Sequence, residues 1–470
     1  MADERSGSPR GPTPAAPGRP PEVGALRVPP PLARGWRPIL DGALAERAVG
    51  AIRAIAAGLA DEAHQVEGAP DRPVVAARRA SLAWGWPGVA LFFDYLDRSG
   101  LGEAGLAERL LIEIVRGVHT GQLNASLWGG VAGVGWVVEH LARDGRLSAG
   151  AAEVATFPDE VDRRLLSDLG RPPDREREAY ELLSGFVRSG VYALERRAAP
   201  ASIGVLEAVV DRLDRLAERA AGAITWWTPP ALTPGADRPV SGSYNLGVAH
   251  GVPGAIAWLG LACAAGVARD RARPLLDGAV AWLLAHRPPR TREQGFPSTV
   301  LPDGESHPSR LAWCYGDAGI AAALLLAARC VGEPAWGRTA IEIAAEAAAR
   351  PFERSGVVDA PLCHGAFGLA HTYNRLYQAT DEPALGQAAR AWYARGLAMR
   401  RPAGRLGGFA AVQLGAAGTP SRRVALRGLL EGAAGVGLAL LAAVTPIEPA
   451  WDRLLLVGIP PRRRGGASGA

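Results

Sequence analysis

Apolar runs long enough for helices recur along the chain, and each follows a pair of glycines spaced three apart. The clearest runs are 89–96, 134–141, 320–328 and 436–444. Between them, Ala, Leu, Arg and Glu recur every three to four residues, as in amphipathic helices. Because a helix that is apolar on most sides has to be buried, the pattern predicts buried helices that alternate with more polar ones. The predicted fold class is all-α.

The glycine pairs form a repeat with seven copies of the pattern G-x-x-G. The leading glycines are Gly85, Gly130, Gly185, Gly251, Gly316, Gly365 and Gly432. The third copy is degenerate, since Arg188 stands where its second glycine would be. Spacings of 45 to 67 residues fit one helical hairpin plus loops, and seven hairpins can stack as an open solenoid or close into a ring. Polar residues recurring at one end of the apolar helices favour the ring, an α,α-toroid whose helix starts meet at a central mouth.

Three neighbouring copies carry metal-capable side chains in one register. The two residues before the leading glycine are Ala249-His250, Cys314-Tyr315 and Cys363-His364. An adjacent Cys-His pair is by itself more often packing, but two cysteines in equivalent registers favour a metal site. Cys314, Cys363 and His364 form a ligand set that suits Zn²⁺, and three protein ligands leave the fourth position open, as in catalytic zinc sites. We therefore predict one zinc ion per chain.

Three further side chains near this register leave alternatives open. His250 could be a fourth ligand, which would make the site structural, or an acid/base group that titrates near neutrality, or a hydrogen-bonded helix-terminal histidine. Arg310 stays protonated and suits holding an oxyanion. Tyr315 could donate a hydrogen bond to the same charge or be an aromatic residue of the rim.

Composition narrows the class of protein and its compartment. Net charge is +5 over 470 residues and the arginines interleave with acids, so no nucleic-acid-binding stripe stands out. Four cysteines are too few and scattered for a disulfide framework, and Cys263 and Cys330 fit buried thiols. No uninterrupted apolar stretch reaches 18 residues, so we expect no membrane span. The expected compartment is a reducing cytoplasm.

Three regions are predicted from the composition along the chain. Residues 1–38 are rich in Pro, Gly and Arg and are expected to be a disordered arm. Residues 39–458 contain the seven repeats and are expected to form the toroid. Residues 459–470 are expected to be a basic, glycine-rich, solvated tail.

Three motifs on this repeat resemble the lanthionine synthetase C-type (LanC-like) lanthipeptide cyclases. They are Gly-x-x-His-Gly-x-x-Gly at 247–254, Trp-Cys-Tyr-Gly-Asp-x-Gly at 313–319 and Cys-His-Gly at 363–365. The resemblance covers about residues 40–458 and includes the terminal Trp-Asp-Arg-Leu-Leu-Leu at 451–456. It implies an α,α-toroid that binds zinc and adds a peptide cysteine to dehydroalanine or dehydrobutyrine, forming a thioether ring. The implied zinc ligands are Cys314, Cys363 and His364.

The resemblance also implies roles for the remaining candidates. The family's active-site histidine, arginine and tyrosine match His250, Arg310 and Tyr315. Its active-site aspartate falls where this chain has Glu181. By this implication Arg310 or Tyr315 stabilises the enolate formed by thiolate attack, His250 protonates the α-carbon, and Glu181 orients His250. Alternatively, Glu181 pairs with Arg188 or another arginine at the ring surface.

The implied partners are a dehydrated precursor peptide with its leader and a dehydratase, with no nucleic acid, and the chain could sit peripherally in a membrane-associated biosynthetic complex. Three alternatives remain. The chain could add glutathione or another thiol to dehydroamino acids. It could be a prenyltransferase-like zinc enzyme, although such sites use an Asp-Cys-His ligand set. It could also be a non-catalytic, zinc-stabilised peptide-binding scaffold.

Overall fold

The computed structural model describes residues 35–66, 79–102, 104–119, 123–148, 151–176, 178–232, 242–289, 295–413 and 421–460. Fourteen α-helices lie in these ranges. They are α1 (Gly42–Val66), α2 (Trp86–Arg98), α3 (Leu106–His119), α4 (Val131–Arg143), α5 (Ala152–Leu169), α6 (Val187–Glu195), α7 (Pro200–Leu216), α8 (Val252–Ala264), α9 (Arg269–Ala285), α10 (Asp317–Val331), α11 (Pro334–Ala348), α12 (Ala366–Thr380), α13 (Pro383–Ala398) and α14 (Ala433–Val444). No helix in the described part is long and apolar enough to cross a membrane.

The even-numbered helices form an inner ring and the odd-numbered helices pack outside it. Each inner helix contacts the next one along the chain, and α14 contacts α2, so the inner ring is closed. The outer helix α1 packs against α14, so the two ends of the fold complete the seventh hairpin. The inner helices are buried at nearly every position, as α8 and α14 show. The prediction of an α,α-toroid is confirmed.

The glycine pairs are explained by how each inner helix begins. Six of the seven leading glycines immediately precede an inner helix. A Cβ on the second glycine would strike the carbonyl oxygen six residues earlier: the distance is 2.1 Å from Gly319 to Trp313 O and 1.9 Å from Gly435 to Leu429 O. The second glycine therefore lets the turn fold back on its own helix.

The degenerate third copy accommodates Arg188 by starting its helix later. Helix α6 begins at Val187, two residues after the leading Gly185. The Arg188 guanidinium then folds back and donates hydrogen bonds to the carbonyl oxygens of Leu183 and Ser184. The side chain thus satisfies turn carbonyls at the position where a glycine is otherwise needed.

The seven turns are tied together by backbone hydrogen bonds between equivalent residues, each two positions before a leading glycine. The N–H of Cys314 donates to Cys363 O at 3.2 Å, and that of Cys363 to Leu430 O at 2.9 Å. The same bond joins Leu430 to Ala83, Ala83 to Trp128, Leu183 to Ala249 and Ala249 to Cys314. At the remaining step, the Trp128 indole donates to Leu182 O at 2.9 Å. We call this ring of turns the mouth.

Short antiparallel strands accompany the helices, and two of the small sheets lie beside the mouth. The strands are β1 (Glu218–Ala220), β2 (Ala223–Thr225), β3 (Tyr244–Asn245), β4 (Thr299–Val300), β5 (Ser306–His307), β6 (Ala411–Gln413) and β7 (Arg422–Val424). They pair as β1-β2, β3-β4-β5 and β6-β7. Strand β3 leads directly into the turn before α8, and the N–H of Val412 in β6 bonds to Asp359, just before the turn of α12.

The other end of the inner ring is closed by the C-terminal 3₁₀ helix, Ala450–Leu455. Its residues contact the C-terminal halves of inner helices through Tyr95, His140, Glu195 and Arg375, and the N-terminal half of α12 through His371. Trp451 and Leu454 are fully buried. The Trp313 indole, in the turn before α10, also donates to Leu455 O at 2.9 Å. We call the 3₁₀ helix and the five side chains named above from the inner helices the floor.

The expected boundaries at 38 and 459 differ from the packing by a few residues. Of the arm expected at 1–38, residues 1–34 lie outside the described part, but Trp36 is buried and its indole donates to Ala442 O at 2.7 Å. Of the tail expected at 459–470, Ile459 is buried and Pro460 O accepts a hydrogen bond from Arg329, while 461–470 are not described. The packed chain therefore includes 36 and 459, because each end covers inner helices.

Candidate metal centre and surrounding residues

Cys314, Cys363 and His364 meet at the mouth, where two adjacent turns are joined. One ligand atom from each residue lies within 4.8 Å of the others. The backbone bond from Cys314 N–H to Cys363 O holds the two turns in register. Cys314 is buried, whereas Cys363 and His364 are partly exposed. The turns therefore bring together the ligand set that the sequence analysis proposed.

The electrostatics of this group favour a thiolate at Cys314. A hydrogen bond with Cys363 lowers the pKa of the Cys314 thiol, and although burial opposes the shift, His364 and the charge of Arg310 also lower it. The other two cysteines behave differently. Burial raises the pKa of Cys263, and it raises the pKa of Cys330 to about 12, so both are unreactive thiols.

The residues present fit a zinc ion. Donor atoms bonded to one tetrahedral zinc lie roughly 3–4 Å apart, so a spread of 4.8 Å requires only small side-chain movements. Two thiols and one imidazole are ligands that zinc prefers, and one thiol already favours its deprotonated form. In the described part of the chain, no other group of three His, Cys, Asp or Glu side chains meets this criterion.

Glu181 and His250 lie close together at the mouth. They belong to the two turns that come before the turn of Cys314 in the chain. The buried Glu181 carboxylate accepts the N–H groups of Leu183 at 2.5 Å and Ser184 at 2.8 Å, and its Oε2 lies 3.5 Å from His250 Nδ1. Burial lowers the pKa of His250, but Glu181 and Cys314 outweigh it, so the pKa is raised. Among the described residues, the ion-pair partner of Glu181 is thus His250 and not Arg188.

Tyr315 stands between His250 and the cysteines. Its ring centroid is 6.1 Å from that of His250, with 27° between the planes, and its hydroxyl accepts a hydrogen bond from Asn245 Nδ2 at 2.9 Å. Burial raises the pKa of Tyr315, so its phenol keeps its proton and can donate it in a hydrogen bond. Gly247 leaves space for the ring, since a Cβ there would lie 2.7 Å from Tyr315 Cε1.

Arg310 lies at the rim of the same site. It is exposed, and the next residue, Leu311, is anchored by a bond from its N–H to Ser355 O at 2.8 Å. Its positive charge helps to lower the pKa of Cys314. The structure therefore brings all seven predicted site residues to one side of the mouth.

Comparison with known proteins identifies the family. A family model described as lanthionine synthetase C-like protein matches residues 77–456. The chain belongs to the lanthionine synthetase C-like family. Among solved structures it resembles one titled nisin cyclase, with a TM-score of 0.67 and 18% identity over 86% of this chain and 96% of that chain. This likeness shows the shared fold. A search of curated proteins gave no match.

Two polar residues of this family member were missed by the sequence analysis. Asp359 is fully buried, with Oδ2 3.7 Å from His364 Nε2. Asn245, also fully buried, binds the Tyr315 hydroxyl. Each lies six residues before a leading glycine, the register that Arg310 occupies in the turn between them. That second register was the signal that could have found them.

Proposed function

We propose that this protein is a zinc-dependent peptide cyclase. It adds cysteine thiolates of a dehydrated precursor peptide to dehydroalanine or dehydrobutyrine, forming lanthionine and methyllanthionine rings. The observation that carries the proposal is the meeting of Cys314, Cys363 and His364 beside the Glu181–His250 pair, in a chain of the lanthionine synthetase C-like family. Because the substrate must already be dehydrated, a dehydratase that acts on the same peptide is the expected partner.

Cys314, Cys363 and His364 would hold the zinc ion. When bound, zinc supplies a positive charge that keeps a coordinated thiol deprotonated at neutral pH. Three protein ligands leave one position for the peptide thiol. The partial exposure of Cys363 and His364 leaves the site open on the side of the mouth from which a peptide would enter.

The surrounding residues supply the proton and hold the developing charge. As the substrate sulfur bonds to the β-carbon of the alkene, the π electron pair moves toward the α-carbon and its carbonyl oxygen. Arg310 and Tyr315 can hold the negative oxygen by charge and by hydrogen bonding. His250 is partly exposed and its raised pKa favours the protonated ring, which donates its proton to the α-carbon. Glu181 orients His250 and stabilises its charge.

The test combines metal analysis with a synthetic peptide that carries one dehydroalanine and one cysteine. We expect one zinc per chain, and ring formation that removes the peptide thiol from alkylation, followed by mass spectrometry. Cys314→Ala and Cys363→Ala should lose zinc and cyclisation while the helical far-UV signal is kept. Full zinc occupancy in both variants would refute the ligand assignment. A thiol that stays alkylatable with zinc-loaded protein would refute the cyclase, and a glutathione adduct in its place would identify the alternative thiol donor.

A further inference from the structure

Asp359 is fixed in place next to the proposed metal centre. It precedes the turn of α12, and its backbone carbonyl accepts the N–H of Ala366, the first residue of that helix, at 3.0 Å. Its side chain is fully buried, and Oδ2 accepts the N–H of Val412 in β6 at 2.8 Å. The carboxylate therefore has little freedom to move relative to His364, five residues later.

The Asp359 carboxylate has fewer partners than its burial requires. Oδ1 has no hydrogen-bond partner among the described residues. Buried carboxylates are normally paired, since an uncompensated buried charge is costly. The ion-pair partner of Asp359 is His364, whose Nε2 lies 3.7 Å from Oδ2. A small rotation of the imidazole is enough to bring Nε2–H into hydrogen-bond distance.

The ring nitrogen that faces the carboxylate differs between the two histidines of the mouth. His364 turns Nε2 toward Asp359, which leaves Nδ1 to act as a lone-pair donor. His250 instead turns Nδ1 toward Glu181, which leaves Nε2 for the substrate. Since a hydrogen bond at one imidazole nitrogen decides which nitrogen can bind a metal, the two carboxylates select different chemistry for the two rings.

We propose that Asp359 is a positioning residue that accepts the Nε2–H of His364 and thereby directs Nδ1 to the metal beside Cys314 and Cys363. The inference rests on the metal site proposed above. Asp359 acts only through His364 and contacts neither metal nor substrate. Removing its charge frees the imidazole to rotate and weakens the ligand without changing the two thiols.

Metal affinity, measured by chelator competition on the full chain, tests this role without any substrate. Asp359→Asn keeps an acceptor for Val412 N–H but removes the charge, and it should weaken Zn²⁺ binding about 10- to 100-fold. Asp359→Ser should weaken Zn²⁺ binding by a similar factor. It replaces Asp359→Asn in the test if far-UV circular dichroism shows that the Asn variant folds poorly. Asp162→Asn is the matched control. It removes a buried carboxylate that pairs with Arg196 on the outer side of the ring, and it should leave zinc affinity unchanged.

A double-mutant cycle separates positioning from a general structural effect. With Cd²⁺, which two thiolates still hold, Asp359→Asn should weaken binding in the native background and have no further effect in His364→Ala. Equal weakening in both backgrounds would overturn the proposal, as would zinc affinity within two-fold of native in both Asp359 variants. A native chain that binds no zinc would instead refute the metal site itself, so the two failures are distinguishable.

Discussion

The mouth and the floor each contain two histidine–carboxylate pairs, but the pairs differ in how they are held. At the floor, His371 Nε2 lies 2.8 Å from Asp452 Oδ2 and His140 Nδ1 lies 3.0 Å from Glu195 Oε1. At the mouth, the pairs that involve His250 and His364 are separated by 3.5 and 3.7 Å. Imidazole and carboxylate thus lie within hydrogen-bond distance at the floor, whereas at the mouth they form longer ion pairs.

The surroundings explain the difference. Each floor carboxylate is also bound by an arginine: Arg375 Nε lies 2.7 Å from Asp452, and an Arg453 nitrogen lies 2.8 Å from Glu195. The floor histidines stack on indoles, with 4.7 Å between the ring centroids of His371 and Trp451. The mouth carboxylates take backbone N–H groups instead, and their histidines reach the surface. The floor pairs are therefore closed and buried, whereas the mouth histidines stay partly exposed, as the proposed function requires.

Of the substitutions that test this comparison, His250→Asn is expected to have the largest effect. If His250 supplies the proton, the variant should lose cyclisation of the dehydrated peptide by about 10²- to 10⁴-fold. Its zinc content should stay unchanged, because the proposed ligands are Cys314, Cys363 and His364, and its urea unfolding curve should show no more than the loss of the His250–Glu181 ion pair. Loss of zinc would instead mean a closed four-ligand site, and the catalytic assignment would fail.

At the floor, Asp452→Asn should reduce stability, not chemistry. The change removes the buried carboxylate that His371 and Arg375 share and, among the described residues, leaves Arg375 only the exposed Glu448 as an ion-pair partner, and breaking a buried pair costs about 3–5 kcal/mol. Urea unfolding measures this loss, while zinc bound per folded chain should stay the same. The control is Asp381→Asn, which breaks an exposed pair with Arg37 and should cost about 0–1 kcal/mol. Equal unfolding midpoints for the two variants would contradict the assigned role of the floor.

The two regions should also respond to pH in opposite directions. Burial raises the pKa of Glu195, but His140, Arg453 and Arg143 outweigh it and lower the pKa from 4.5 to about 2. Since the folded pKa lies below the unfolded one, the charged carboxylate stabilises the fold above pH 4.5, and this is lost as pH falls toward 2. At the mouth, the pKa of His250 is raised, so its protonated ring stabilises the fold at low pH. This stabilisation is lost as pH rises through the folded pKa.

The loss of stability in acid can be measured by thermal unfolding between pH 4.5 and pH 2. Glu195→Gln should lose on the order of 3 kcal/mol at neutral pH and show a flatter decline toward acid than the native chain. A parallel decline in the two proteins would mean that other carboxylates cause the loss of stability in acid, and the role assigned to Glu195 would be wrong.

The mouth was far more predictable from sequence than the floor. The turns repeat, so the glycines place Cys314, Cys363 and His364 in one register, and a ring joins adjacent registers. The floor has no such register. His140 and His371 lie at different depths in their helices, and their carboxylates are 55 and 81 residues away. Pairs at such separations become visible only once the ring has closed and the C-terminal 3₁₀ helix is in place.

Asp359, beside the mouth, shows what the register of the metal ligands cannot predict. It lies outside the turn, and nothing in its local sequence pairs it with β6, which supplies the N–H that holds it. The closeness of Glu181 and His250 follows from the ring, since their turns are consecutive. The third turn starts its helix late, however, and this detail depends on the Arg188 side chain and could not be inferred from spacing.

The smallest effect, and the most specific, is expected from Glu181. Glu181→Gln keeps acceptors for the N–H groups of Leu183 and Ser184 but removes the negative charge beside His250. Cyclisation should fall about 10- to 100-fold, as for loss of a residue that orients another, at unchanged zinc content. Glu181→Asp keeps the charge and should stay active. Near-native rates for the Gln variant would make Glu181 a structural residue of the turn.

The pH profile decides whether Glu181 acts through His250. Burial alone lowers the pKa of His250, and Glu181 is the main group that raises it again. A general acid with a raised pKa works up to that pKa and fails above it, so native cyclisation should decline on the alkaline side. In Glu181→Gln this decline should begin at lower pH, because the pKa of His250 falls, whereas in Glu181→Asp it should stay near the native position. If the Gln variant is slower but its alkaline decline stays in place, Glu181 holds the turn and does not tune the histidine. The mouth pair would then be as structural as the pairs of the floor.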